Sequence, residues 1–206
     1  MTVSRRPYDA VKRVLDVVTA VLVLVIGSPV FGVVALLVAR NLGRPVLFAQ
    51  PRPGRDGRVF TLLKFRTMRS NPPGVELPDE ERLTRFGRVL RSTSLDELPS
   101  FVNVLRGQMS VVGPRPLLVS YLERYTPEQA RRHEVRPGIT GLAQVSGRNT
   151  VEWARRFDLD VEYVDRRSLR LDASILLRTV RAALVREGIS AEGHATMPEF
   201  RPEAHA

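Results

Sequence analysis

The sequence predicts an α+β fold, mainly helical, in which an N-terminal re-entrant membrane helix-hairpin precedes a short β-hairpin and interfacial amphipathic helices around a small cytoplasmic domain. Three observations carry this expectation. A run of about 23 uncharged residues is interrupted near its middle by Gly27, Ser28 and Pro29. Two β-prone apolar runs flank the turn-rich "PRPGRDG". Later segments repeat apolar residues at helical spacing among many arginines. On this reading residues 1–40 form the anchor, 41–188 the cytoplasmic and interfacial domain, and 189–206 a poorly ordered tail.

The anchor comes first. From Val17 to Ala39 the chain carries no charge, and a straight helix of that length would reach about 35 Å, enough to span a bilayer. Pro29 has no backbone N–H and clashes with the turn before it, so the helix must kink. Gly27 eases the bend, and the Ser28 hydroxyl can pair with the carbonyl that Pro29 frees. Arg5, Arg6, Lys12 and Arg13 precede the run; Arg40, Arg44, Arg52, Arg55 and Arg58 follow it. A straight span would put one of these clusters on the outer face, against the positive-inside rule, whereas a hairpin keeps both on one side. The run has no polar face, which argues against a helical hairpin buried in a soluble core.

After the anchor, "PVLFAQ" and "RVFTLLKF" read as a β-hairpin, and Ser70 to Glu80 as an open proline-rich loop. "RLTRFGRVLR" reads as a short basic amphipathic helix, and a second helix runs from about Leu95 to the stop at Gly107. "VVGPRP" and "RPGITGLAQVSGRN" read as loops. "YLERYTPEQARRHEV", "TVEWARRFDLDVEYV" and "DASILLRTVRAALVREG" read as helices. In the last, Ile175, Leu176, Val180 and Leu184 share a side near Arg178, Arg181 and Arg186, a pattern that suits either anionic lipid or the core.

Composition bounds the chemistry. The chain of 206 residues has a net charge of +10, with Lys12 and Lys64 its only lysines, so its partners are expected to be anionic. It has no cysteine, which excludes disulfides, thiolate catalysis and Cys-ligated zinc. His133, His194 and His205 show no metal-ligand spacing. The acids in "STSLDELPSFVNVL" are the chemical focus. Locally, Ser94 and Glu97 have capping-box spacing and Asp96 complements a helix dipole. Around them stand Arg88, Arg91, Arg106 and Arg115, the last stiffened between Pro114 and Pro116, together with Lys64 and Arg66 of "KFRTM". Paired carboxylates among such cations suit a magnesium–diphosphate substrate, because Mg²⁺ takes one or two carboxylates and completes its shell with phosphate and water.

These motifs together resemble a known family. "KRVLDVV", the "SP" break, "KFRTM", "RSTSLDELPSFVNVLRGQMSVVGPRPLL", "RPGITGLAQVSGRN" and "DVEYVDRRSLRLDASILLRTV" resemble, in order, the bacterial sugar transferases of the monotopic phosphoglycosyl transferase type, in their minimal form. The resemblance implies transfer of a sugar 1-phosphate from a UDP-sugar to polyprenyl (undecaprenyl) phosphate, with release of UMP, at the first membrane step of glycan or exopolysaccharide assembly. It implies that Asp96 is the nucleophile, that Glu97 holds Mg²⁺, and that Arg115, with Arg91 and Lys64, binds phosphate. Gln144, Arg148 and Asn149 are implied nucleotide contacts, and Ser28 and Pro29 the membrane kink. The catalytic domain would face the cytoplasm at the bacterial inner membrane, against anionic lipid, and a second copy of the chain stays open as a partner. The motifs do not select among galactose, glucose and N-acetylated amino sugars. Gln108 departs from the aspartate that many relatives carry there. Two other functions compete: a non-catalytic membrane-anchored scaffold, disfavoured by the intact acid pair, and a nucleic-acid binder, excluded as a partner reading because the basic stretches lack interleaved aromatics.

Overall fold

A computed structural model describes residues 7–72, 74–147, 152–185 and 200. The chain opens with helix α1 (Pro7–Ile26) and helix α2 (Ser28–Leu42), bent 64° from each other. The bend follows from the expected chemistry. Pro29 cannot donate to the Val25 carbonyl, and the Ser28 hydroxyl donates to it instead at 2.8 Å. At Gly27 a Cβ would lie 2.3 Å from the Val23 carbonyl oxygen, so only glycine fits without a backbone shift. No single helix among the described residues is long and apolar enough to cross a membrane, but the bent pair together meets that test by length and composition. Around the bend, Val21, Leu22, Val25, Ile26, Val30 and Val33 are exposed.

Both outer ends of this pair are fastened to the rest of the protein. On α1, Asp16 is buried and accepts from the Ser110 hydroxyl and the Val111 amide, and Arg13 donates to the carbonyls of Val104 and Leu105. At the end of α2, Arg66 donates to the carbonyls of Leu42 and Gly43. There the guanidinium meets the negative end of the helix dipole.

Strands β1 (Leu47–Pro53) and β2 (Val59–Phe65) form the expected antiparallel hairpin, with Leu47 opposite Phe65. A short helix α3 (Asp79–Arg82) leads to α4 (Arg85–Ser92), which is capped by the Thr84 hydroxyl. Next come a 3₁₀ turn at Leu95–Glu97, helix α5 (Ser100–Leu105) and strand β3 (Ser110–Val112). Helix α5 lies against β2 through two polar stitches. Ser100 donates to the Leu63 carbonyl, and the wholly buried Asn103 bonds both the Leu63 amide and the Thr61 carbonyl. Helix α6 (Pro127–Ala130), strand β4 (Gly138–Thr140), helix α7 (Leu142–Val145), helix α8 (Trp153–Arg166) and helix α9 (Leu169–Val185) complete the described order.

Three expectations need correction. The helix foreseen from Leu95 to Gly107 is a 3₁₀ turn and a separate α5, because Pro99 can end one and open the other without an N–H to satisfy. The two glycine- and proline-rich loops contribute a parallel pair, β3 with β4, in the register Ser110 to Gly138. "YLERYTPEQARRHEV" is not one helix but 3₁₀ turns at Val119–Arg124 and Arg131–Glu134 flanking α6, since Thr126 and Pro127 start a new helix with a true capping box to Gln129. In α9, Ile175 is buried in the core while Leu177 and Val180 are exposed, so this helix divides its apolar residues between the core and the protein surface. The tail lies outside the described residues except Phe200, which is buried against Tyr121, Trp153 and Phe157.

Candidate active site

The acid pair sits on the 3₁₀ turn, and the flanking leucines hold that turn in place. Leu95 and Leu98 pack into the cluster formed by Val34 and Val38 of α2, Phe65 of β2 and Leu90 of α4. The dyad is thereby tied to the anchor pair by hydrophobic burial. Ser94, just before it, adopts the left-handed conformation at φ 56° and makes no side-chain cap. That backbone costs about 1–2 kcal/mol for a residue with a Cβ. The capping box expected between Ser94 and Glu97 is therefore absent.

Glu97 is free to face two cations. Lys64 Nζ and Arg115 Nη2 both donate to its Oε1, at 2.6 and 2.7 Å. Burial alone would raise the Glu97 carboxyl, but Arg115 and Lys64 outweigh it and hold it down at about 2. Asp96 differs. It is 7% exposed and no described residue hydrogen-bonds to its carboxylate. Burial and the neighbouring Glu97 charge push it up to about 6, against the pull of Lys64, Arg115 and Arg91. Of two adjacent acids, one is fixed as an anion and the other is an unshared, more basic carboxylate.

Each cation has a structural reason for its position. Lys64 is the last residue but one of β2, where burial lowers its pKa and Glu97 opposes that shift. Within the same motif the next residues turn elsewhere: Arg66 holds the end of α2, and the Thr67 hydroxyl accepts from Arg91 Nε at 3.1 Å. Arg66 thus leaves the expected phosphate group of cations. So do Arg88, which donates to the Leu83 carbonyl, and Arg106, which is exposed at the end of α5. Arg91 stays within the field of Asp96.

Arg115 is held through its backbone. The Gly113 amide donates to the Thr140 carbonyl and the Gly138 amide to the Pro114 carbonyl, both at 2.9 Å. This close approach needs glycine: a Cβ on Gly138 would stand 2.1 Å from the Gly113 nitrogen. Arg132 Nη2 donates to the Arg115 carbonyl at 2.7 Å and to Asp160 at 2.7 Å, in a pair 1–2% exposed. Sequence reading missed Arg132 and Asp160 because their pairing joins positions 28 residues apart.

The remaining expected residues separate. Gln144 donates to the Ile139 carbonyl of its own loop, and no contact links it to the acid pair. Arg148 and Asn149 lie outside the described residues. Gln108 accepts from Asn103, so the departure from aspartate falls in the α5–β2 stitching, with no bond to the acids. Both cations occupy the same Glu97 oxygen, which leaves Oε2 and the Asp96 carboxylate as the oxygens that could hold a metal ion; no group of three or more His, Cys, Asp or Glu that could hold one occurs among the described residues.

The chain is similar to known proteins along most of its length. The pattern of the bacterial sugar transferase family matches residues 7–186. An uncharacterized sugar transferase, EpsL, of Bacillus subtilis is 51% identical over 191 residues, covering 92% of this chain and 95% of that one. The UDP-glucose:undecaprenyl-phosphate glucose-1-phosphate transferase of Caulobacter vibrioides is 44% identical over 188 residues, covering 85% and 70%. The undecaprenyl-phosphate galactose phosphotransferase of Salmonella typhimurium is 37% identical over 204 residues, which cover 90% of this chain and 43% of that one.

Proposed function

Since the chain belongs to the bacterial sugar transferase family and is an enzyme of the phosphoglycosyl transferase type, we propose that it moves a sugar 1-phosphate from a UDP-sugar to polyprenyl phosphate through a covalent intermediate on Asp96. The observation that carries this reading is the buried, unshared Asp96 carboxylate beside a Glu97 already neutralised by Lys64 and Arg115. In the first step an Asp96 oxygen bonds to the β-phosphorus of the UDP-sugar, and the bond to the bridging oxygen breaks, releasing UMP. In the second, a phosphate oxygen of polyprenyl phosphate bonds to the same phosphorus and the Asp96 carboxylate leaves. One difficult encounter between a soluble and a lipid substrate becomes two simpler ones.

The protein's own groups supply the electrostatics. At neutral pH Asp96 is an anion, and its raised pKa makes it a stronger nucleophile than an ordinary carboxylate. Lys64, Arg91 and Arg115 offset the charge that would repel it from a diphosphate. Glu97 would hold Mg²⁺, which when bound neutralises diphosphate charge. The bent α1–α2 pair would enter and leave the membrane on one face, the cytoplasmic face of the inner membrane, since both of its outer ends are fastened to the same body. There the site would meet both substrates, as the first membrane step of exopolysaccharide or related glycan assembly.

The test is a panel of UDP-sugars with purified protein, Mg²⁺ and polyprenyl phosphate. We expect UMP release with at least one sugar. Without acceptor, a labelled phosphosugar should appear on Asp96, and acceptor should chase it off. A label on another residue would reassign the nucleophile, and absence of UMP release across the panel would end the proposal.

A further inference from the structure

We propose that Arg52 and Arg115 together form a second phosphate-binding subsite beside the acid pair. Its occupant is a phosphate other than the one under attack: the nucleotide-side phosphate of the donor or the phosphate of the lipid acceptor. The inference rests on the transferase reading for the identity of the ligand, but not for the existence of the subsite.

Arg52 lies on β1 opposite Phe60, and its Nη1 points at the loop that carries Arg115, donating to the Pro116 carbonyl at 3.5 Å. Its Nη2 is held by the Gln50 side-chain oxygen at 2.6 Å. Its Nε is buried and has no acceptor. Two of the three nitrogens of the fork are thus held weakly or not at all, although the side chain is half-buried.

The charges around it are as informative as the bonds. Burial, and after it the Arg115 guanidinium, lower the Arg52 pKa to about 10, and the groups that oppose this are the phenols of Tyr121 and Tyr125. No carboxylate contributes. Other buried or half-buried cations have an anionic or dipolar partner: Arg132 has Asp160, Lys12 has Asp172, Arg167 has Asp9, and Arg66 has the carbonyl end of α2. Arg115 cannot act as a sink for a further cation, because its own partner Glu97 is shared with Lys64.

A guanidinium fork held beside a second one, with a buried donor unmet, is stabilised by an anion that brings both charge and acceptors. A phosphate does so, and its tetrahedral oxygens suit two planar forks at once. Counted over the whole site, Lys64, Arg52, Arg91 and Arg115 stand against Asp96 and Glu97. The excess of about two positive charges matches the two negative charges of a sugar-nucleotide diphosphate, or those of a phosphate monoester.

The experiment uses the full chain in detergent or nanodiscs, with inorganic pyrophosphate as the probe and calorimetry as the readout. Arg52→Gln is expected to weaken binding about tenfold, and Arg52→Lys to restore part of it. Thermal unfolding should be unchanged, and Arg58→Gln, at an exposed neighbour, should bind as wild type. Pyrophosphate affinity within twofold of wild type in Arg52→Gln would overturn the subsite. Equal weakening by Arg58→Gln would also overturn it, since general charge would then explain the binding. Kinetics separate the two sources. A raised KM for the UDP-sugar alone assigns the subsite to the donor, and a raised KM for polyprenyl phosphate alone assigns it to the acceptor. Pyrophosphate discrimination in a protein that releases no UMP would remove the transferase reading and leave the subsite standing.

Discussion

Two of the buried ion clusters among the described residues are built on opposite plans. In the first, at the junction of α1, α8 and α9, Asp172 accepts from the Tyr8 hydroxyl, Lys12 Nζ and the Tyr163 hydroxyl at 2.6–2.9 Å. In the second, Asp96 accepts from no described residue. The two aspartates are equally buried, at 8% and 7% exposure, so depth does not separate them. Saturation does. A carboxylate whose acceptor sites are all met resists any further partner, and it serves as a joint. A carboxylate buried without partners is a standing cost of a few kcal/mol, and its remaining use is to react or to bind.

The largest effect expected from this contrast is at Asp96. Asp96→Asn keeps shape and removes the anionic oxygen, so UMP release should fall by at least about 1,000-fold while the thermal unfolding temperature holds or rises. Substantial turnover in that variant would erase the distinction between the clusters. Next is Arg115→Lys, where an ammonium replaces a fork that binds Glu97 and that we propose binds phosphate. Turnover should fall by about 100-fold, read as UMP release at saturating Mg²⁺.

Asp172→Asn should behave in the opposite sense. Breaking a buried pair costs about 3 kcal/mol of stability, measured by denaturant unfolding, while the folded fraction should keep turnover within a few-fold of wild type. Loss of turnover without loss of stability would make the joint part of the site. The smallest effect concerns His133, whose Nδ1 donates to the Gly54 carbonyl and whose Nε2 is buried without a partner. Burial and then Arg132 lower its pKa from 6.5 to about 4. The unfolded chain therefore binds the extra proton first as pH falls. Stability present above pH 6.5 is lost towards pH 4, by about 1–2 kcal/mol between pH 7 and 5. His133→Gln should flatten that slope, as read by unfolding across the same range.

How far these clusters could be read from the sequence depended on distance along the chain. The β-hairpin, the kink at Ser28 and Pro29, and the acid pair were legible because each rests on neighbours within a few residues. The same local logic misled at Ser94, where S-x-x-E spacing suggested a capping box. The left-handed turn at Ser94 and the pull of Lys64, 33 residues away, took Glu97 out of it. Arg66 was grouped with its motif neighbour Lys64 as an expected phosphate-side cation, yet β2 ends at Phe65, so strand register does not carry on to Arg66, which turns to the end of α2. The β3–β4 pair, Arg132 with Asp160, and Arg52 over Pro116 were not legible at all. Each joins segments 28 to 64 residues apart that carry no pairing signal of their own.

The joint at Asp172 also imposes an order in time. Tyr8 and Lys12 wait for a partner that lies 164 and 160 residues further along the chain. At ordinary translation speeds that is a delay of roughly 8–30 s. Throughout that interval the α1–α2 pair exists as nascent chain with its apolar bend complete and Tyr8 and Lys12 still without Asp172. The greasy part of the molecule is finished early, and the last clasp on its outer end, at Asp172, closes only when α9 emerges.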